Sequence, residues 1–408
     1  MRANEVTMSF SYAVLGSGMQ GTAAAYDLGR HGEARDLLLL DRDAESVQCA
    51  AQRLRALLPG IAVEARTCDA SDGAVLAKAL DGVHGVFSAL PYAFNLAAAG
   101  AAVHAGASFC DLGGNTAVVR ATLELDALAK ARGVSVIPDC GLAPGLGNVL
   151  AACAVGRLRH AQHVRIYCGG LPQHPQPPWD YKLVFHIGGL TNEYMGNAEV
   201  LRDGRLQEVP TLSELESVDF PAPVGRAEAF TTSGGTSTAC ETFRGRLQSY
   251  QYKTVRYPGH CEKVRAVRDL GLLDLVPVQV RGVSVVPRDL FHVVAAPRLA
   301  HPEDGDLVVL RAEAFGPSAK AGEPVEWQRF DLLDIADART GATPSASAGF
   351  SAMERCTAFP AAATLHLQVK GAVPPGATTS ERLSVVETLL AAVRLRGLDI
   401  RESCSSAR

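Results

Sequence analysis

Between residue 10 and about residue 125 the chain repeats one pattern. A short unbroken apolar run is followed by a longer stretch whose apolar residues recur every three or four positions. Unbroken runs read as strands buried on both faces, and the intervening stretches as helices. Strands are expected at residues 12–15, 36–40, 61–65, 85–90 and 107–110, and helices at 22–30, 44–58 and 73–80, with a further helix opened by Asn95. This alternation predicts an α/β fold with a Rossmann-type, doubly wound parallel sheet. The texture persists through a strand at 134–137 and an apolar helix at 149–157.

From about residue 162 the pattern differs. A strand at 163–168 leads into a Pro/Gly loop at 169–178, and residues 179–186 alternate apolar and polar as a strand does. Residues 278–294, 306–315 and 326–334 read as further strand material, which together implies an α+β domain on a mixed or antiparallel sheet. Beyond residue 345 the period is helical again, at 353–369 and 380–396, and these helices are expected to return to the first domain. The expected domains are therefore 1–125, 126–345 and 346–408.

The first apolar run ends in Gly16-Ser17-Gly18-Met19-Gln20-Gly21, and the second ends in Asp41. Strand, three spaced glycines, helix, strand and acid make up a dinucleotide-binding fingerprint in its proper context. Gly16 serves the tight turn, Gly18 lets the backbone approach a pyrophosphate, and Gly21 permits close helix–strand packing. The pyrophosphate would sit on the exposed N–H groups of the helix that follows. A carboxylate at Asp41 accepts from ribose hydroxyls and repels a 2′-phosphate, so NAD is expected over NADP, although Arg42 stands next to it. Ligands of such sheets bind beyond the carboxyl ends of the strands, which places Asp69 near adenine and Ala89, Leu90 and Pro91 near ribose and pyrophosphate. Asn95 is either a cofactor contact or only a helix cap. Gly113 and Gly114, at a strand end, suggest close backbone approach to a ligand. A second glycine loop holds Asp139 and Gly145 ahead of the apolar helix, and reads as an anion site, a domain hinge or both.

Composition narrows the function further. The 408 residues are 47% hydrophobic and 20% charged with a net charge of -4. That balance offers no basic patch for nucleic acid and no polybasic segment for a membrane surface. No apolar run reaches bilayer length, and the first ten residues lack the apolar stretch of a signal peptide, so a cytoplasmic protein is expected. Ten cysteines form no CxxC pair and no metal-spaced cluster; they read as buried thiols, and no metal is expected.

Several motifs converge on one family. Pro138-Asp139-Cys140-Gly141-Leu142-Ala143-Pro144-Gly145 resembles the P-x-x-G-x-x-P-G loop of the saccharopine dehydrogenase/reductase superfamily. Tyr167-Cys168-Gly169-Gly170-Leu171-Pro172, Gly234-Gly235-Thr236-Ser237-Thr238, the run from Tyr252 to His260, and Asp111-Leu112-Gly113-Gly114 resemble the bacterial lysine 6-dehydrogenases within it. The similarity runs from about residue 11 to about residue 400, and departs in the extra N-terminal residues and an Ala/Pro-rich stretch at 343–379.

The resemblance implies NAD-linked oxidation of L-lysine at its ε-carbon, giving allysine, which cyclises to piperideine-6-carboxylate, and ammonia. Hydride must leave a carbon bearing a neutral amine, whereas free lysine has a pKa near 10.4, so a base is required. Asp111, Tyr252, Lys253 and His260 are the candidate proton carriers. Arg256 is the natural carboxylate clamp because of its planar fork, with Thr236, Asp139 and Gly145 as further substrate contacts. A homodimer or higher homo-oligomer is expected. Saccharopine dehydrogenases and carboxynorspermidine-type reductases share this scaffold, and a non-catalytic NAD-binding protein would keep the same glycines.

Overall fold

The computed structural model describes residues 9–318, 325–337 and 348–405. The first eight residues and residues 343–347 of the divergent stretch lie outside them. Two units result, one of residues 1–149 and 354–398, the other of 150–353 and 399–408.

Along the chain come β1 (Phe10–Leu15), α1 (Met19–His31), β2 (Ala34–Asp41), α2 (Ala44–Leu57), β3 (Ala62–Thr67), α3 (Gly73–Ala79), β4 (Gly85–Ser88), α4 (Asn95–His104), β5 (Ser108–Asp111), α5 (Thr116–Leu123), α6 (Asp126–Arg132) and β6 (Ser135–Ile137). There follow α7 (Gly147–Arg157), β7 (His163–Pro172), α8 (Ile187–Glu193), β8 (Asn197–Arg202), β9 (Arg205–Pro210), β10 (Glu216–Asp219), β11 (Arg226–Phe230), α9 (Ala239–Phe243), β12 (Ser249–Arg256) and α10 (His260–Asp269). The remainder is β13 (Val278–Val280), β14 (Val283–Val285), α11 (Pro287–Leu299), β15 (Asp306–Gly316), β16 (Glu326–Ile335), α12 (Ala352–Val369), β17 (Gly376–Ala377), α13 (Val386–Leu395) and β18 (Ile400–Cys404).

In the first unit the described residues form a parallel sheet in the order β17-β6-β5-β4-β1-β2-β3, the doubly wound arrangement. One face of its strands, including Leu15, Val86, Phe109 and Val136, packs on Leu76 and on the alanines Ala98, Ala99 and Ala102. Small residues on α4 let that helix lie close to the sheet. The unit extends to Val149 rather than ending near 125, because β6 continues the sheet beside β5. The late helices do return to this unit. Gln368 of α12 donates to the carbonyls of Phe109 (3.1 Å) and Ser135 (3.0 Å), and Arg396 after α13 meets the buried Asp27 of α1 at 2.8 Å.

The second unit is built on a mixed sheet, ordered β10-β11-β12-β7-β15-β16-β18 with β8 and β9 branching from β12; among the described strands only β7 and β12 run parallel. The last strand, β18, therefore belongs to this sheet and not with the helices before it. Two expected strands are corrected. Residues 179–186 join no sheet: Pro177 and Pro178 offer no N–H, and Asp180 has φ +51, which interrupts an extended run. Residues 278–294 are a small hairpin followed by a helix, since Pro287 stands at the first helical turn, where its fixed φ is favourable. Among the described residues no helix is long and apolar enough to cross a membrane.

Candidate active-site halves

The first unit carries a pocket of about 210 Å³ at the carboxyl ends of β1, β2 and β4. It brings together Gly16, Gly18, Asp41, Arg42, Asp69, Ala89, Leu90 and Pro91, all expected from sequence. Each glycine has its own reason. Gly16 sits at φ +88, and a Cβ there would lie 3.0 Å from the Ala89 carbonyl oxygen. A Cβ on Gly21 would fall 1.8 Å from the Gly16 oxygen, so helix α1 can approach the turn only with glycine there. Nothing lies within 4 Å of a Cβ at Gly18, which leaves that backbone open to a ligand. Asp41 Oδ2 accepts the Ser17 N–H at 2.6 Å, and Oδ1 accepts from Asp43 N at 3.0 Å. The buried Ser17 hydroxyl in the glycine turn has no partner among the described residues, as expected of a group set to bond a phosphate. These features fit a dinucleotide, with the amides of the turn and α1 as its pyrophosphate seat.

Sequence reasoning missed Cys68, Leu76 and Phe94, which wall the pocket. An adenine slot needs such apolar walls, and Phe94 follows Pro91 in the same turn, which was the available signal. Met19 and Gln20 stand at the start of α1, outside the pocket lining. Asn95 is buried and accepts from the Ser88 hydroxyl at 2.8 Å, so it neither caps α4 nor lines the pocket.

Behind β5 the two glycine loops are tied together by Asp111. Its Oδ1 accepts from Gly113 N (2.8 Å) and Asp139 N (3.0 Å), while its Oδ2 has no partner among the described residues. Burial pushes this carboxyl up to about 6, and the two amide bonds oppose the shift. The groups crowding Gly113 and Gly114 are protein side chains: added Cβ atoms would meet Asp139 Oδ1 at 1.9 Å and the Tyr92 ring at 3.2 Å. Gly145, at φ +129, packs on Cys140 with 2.6 Å between a would-be Cβ and the Cys140 carbonyl carbon. Burial holds the Cys140 thiol well above its ordinary range, which makes it a poor nucleophile.

In the second unit, β12 supplies most of the expected residues, and its two-residue period divides them. Tyr252, Thr254 and Arg256 point to one side; Lys253 and Val255 point to the other. Lys253 is spoken for on that far side, with Nζ 2.7 Å from Glu216 and donating to the Glu214 carbonyl at 2.7 Å. Thr254 donates to the Tyr252 hydroxyl at 3.3 Å, and burial raises that phenol well above its usual range. A Cβ on Gly235 would strike the Tyr252 ring at 2.2 Å, so the Gly234-Gly235 loop lies flat on the tyrosine. Thr236 donates to the Glu199 carbonyl at 3.0 Å, anchoring the same loop.

Arg256 is buried in an aromatic cage. Its Cζ stands 4.8 Å over the Tyr181 ring, its Nε donates to the Tyr194 hydroxyl (3.4 Å), and its Nη1 donates to the Val255 carbonyl (2.9 Å). Its Nη2 faces Glu193 at 3.9 Å, beyond hydrogen-bond range. Burial pushes the Glu193 carboxyl up, and Arg256 pulls it back. His260 lies at the head of α10 rather than on the strand, where Glu228 accepts from Gly259 N (2.8 Å) and Cys261 N (2.6 Å). Burial, and then repulsion by Arg256, lower His260 to about 3, so the ring is neutral. The Trp179 carbonyl, 3.1 Å from Nδ1, can only accept, so the proton sits on Nδ1. Nε2 then accepts from the Tyr194 hydroxyl at 3.0 Å, and Tyr194 in turn accepts from Arg256. This directed chain holds Arg256 in place. Glu193, Tyr181 and Tyr194 were not anticipated, because they come from separate loops and a short helix with no shared motif.

Comparison with known proteins places these halves in context. Residues 12–137 match the saccharopine dehydrogenase NADP binding domain, and residues 141–398 match the saccharopine dehydrogenase C-terminal domain. The mitochondrial alpha-aminoadipic semialdehyde synthase of Rattus norvegicus is 27% identical over 206 residues, 46% of this chain and 21% of that protein. A saccharopine dehydrogenase [NADP(+), L-glutamate-forming] of Pyricularia oryzae is 26% identical over 162 residues, 38% of this chain and 36% of that protein. The matched regions thus span well under half the length of these curated relatives. Among solved structures, apo histidine-tagged saccharopine dehydrogenase (L-Glu forming) from Saccharomyces cerevisiae superposes with a TM-score of 0.77 at 17% identity, covering 98% of this chain and 100% of that one.

Proposed function

This chain belongs to the saccharopine dehydrogenase family, and from that premise we propose that it oxidises L-lysine at the ε-carbon with NAD, releasing ammonia and allysine. The reading is carried by the buried Arg256 with Glu193 3.9 Å away, a cation and an acid spaced too widely to satisfy each other. An α-amino acid carries a matching pair of charges, its carboxylate for the guanidinium and its ammonium for Glu193. One such pair suits a substrate with one amino-acid end.

For the cofactor, Asp41 supports NAD, because an acid at that strand end accepts from ribose hydroxyls and opposes a 2′-phosphate. When bound, the dinucleotide supplies a hydride acceptor. The chain's own residues do the rest. The Ser17 hydroxyl and the turn amides hold the pyrophosphate, and Arg256, fixed by Tyr194 and His260, orients the substrate. Asp111 Oδ2 takes the proton that the ε-ammonium must shed and passes it to solvent. The freed carboxylate then accepts a proton from the water that adds to the iminium carbon and hands it to the departing nitrogen, which leaves as ammonium.

A second reading is oxidation of saccharopine to glutamate and aminoadipate semialdehyde, which the names of the relatives favour. That substrate has two amino-acid ends and calls for further cations. The two are separated by following dinucleotide reduction with lysine and with saccharopine, each with NAD and NADP. Reduction of NAD by lysine is the expected result; reduction by saccharopine alone would establish the second reading.

A further inference from the structure

Among the described strands, the hairpin β13–β14 pairs with neither main sheet. Its turn has Arg281 at φ +52 and Gly282 at φ +83, the two positive values of a tight two-residue connection that sets strand register. That register puts Val278 opposite Val285 and Val280 opposite Val283, so four valines share one face while Gln279 and Ser284 take the other. A two-stranded hairpin is marginal in water unless its apolar face is covered. Here it is open: Val278, Val280 and Val283 are 47%, 49% and 63% exposed.

The open face is wider than the hairpin. Leu290 of α11 and Leu270 and Val276 before the hairpin are more than half exposed, and Val294 of α11 is 43% exposed. With Trp179 and Phe291 beneath, this region surrounds a concavity of about 820 Å³. The exposed parts of these aliphatic residues sum to an area on the order of 700 Å², above the roughly 300–600 Å² of the largest patch on a monomer and close to one partner's share of a standard interface. The charged groups lining the concavity are Asp274 and Arg298, one of each sign. A two-fold contact sets the same patch against itself, so opposite charges on a single patch are complementary under that symmetry. A membrane surface would instead favour a basic rim.

We infer that this face is the interface of a homodimer, with the valine face and α11 of one copy covering those of a second. Each hairpin also presents unpaired strand edges that the other copy can cover. The test uses the full chain in sedimentation equilibrium, together with Val280→Glu and Leu290→Glu, both at exposed positions of this face. The wild type is expected to be a dimer at about 10 μM, and each variant a monomer, with Kd raised about a hundredfold or more. Far-UV circular dichroism should be unchanged. Hydrogen exchange of the wild-type hairpin amides should slow between about 0.1 and 10 μM protein, a range spanning typical dimer affinities. A wild type monomeric at about 100 μM, exchange independent of concentration, dimers persisting in both variants, or a monomer that binds phosphatidylcholine vesicles would each overturn the inference.

Discussion

The carboxylate of Asp41 accepts the backbone N–H of Ser17 at 2.6 Å, so the residue expected to choose the cofactor also holds the glycine turn in shape. Removing it should therefore do two things at once. Asp41→Ala should raise the KM for NAD by about ten- to a hundredfold, the loss of one or two charge-assisted bonds, and should narrow the preference for NAD over NADP. Initial rates with both dinucleotides check this. A wild type that already prefers NADP would show that Asp41 does not repel a 2′-phosphate.

Arg256→Ala should lower kcat/KM for lysine by about a hundredfold or more, in line with about 2–5 kcal/mol for a buried charge pair. The dissociation constant for NAD should hardly change. Cadaverine, which lacks the carboxylate, should be turned over equally by the variant and the wild type. If the variant loses activity with both amines alike, Arg256 supports the fold of the cage and not the substrate carboxylate.

The pH profile separates two protons. Asp111, pushed up to about 6 by burial, is a carboxylate only above that value, so kcat/KM should rise through about pH 6 and fall away below it. A second rise, toward the alkaline side, belongs to the substrate amine with its pKa near 10.4. Asp111→Asn should abolish the lower limb, and NAD affinity should fall little. A lower limb that persists in the variant would remove Asp111 from the proton path.

Asp27 and Arg396 make a buried pair that fastens the end of α13 to α1. Burial pushes Asp27 up to about 7, with Arg396 pulling down. A folded value above the unfolded one means that the stability Asp27 contributes is complete below about pH 4 and is lost as pH rises through about 7. Arg396→Met removes the opposing pull and steepens that loss. The cost should be small at pH 5 and about 3–5 kcal/mol at pH 8, measured by urea denaturation. An equal cost at both pH values would contradict it.

The parallel sheet and its cofactor pocket were legible because their signals are local. Gly16 and Gly21 are required by atoms a few residues away, and Asp41 sits where the second apolar run ends. The cluster around Arg256, proposed to hold the substrate, was legible only in part. Arg256 was marked by its chemistry, but the two-residue period of β12 that separates it from Lys253 shows its effect only when the sheet has two covered faces. Glu193, Tyr181 and Tyr194 meet Arg256 through tertiary packing, and no spacing connects them. The alternation at 179–186 misled because Asp180 turns the backbone to positive φ, a conformational fact invisible to hydrophobic period. The helix after Pro287 was a missed capping signal, with valines before it that resemble a strand.

The most direct test of the account is to incubate the protein with NAD and lysine labelled with nitrogen-15 at the ε-position, following NADH by absorbance and ammonia by NMR. The account predicts labelled ammonia released in a one-to-one ratio with NADH, with the α-nitrogen retained in the product. NADH formed without labelled ammonia, or no NADH from lysine while saccharopine yields glutamate, would contradict it.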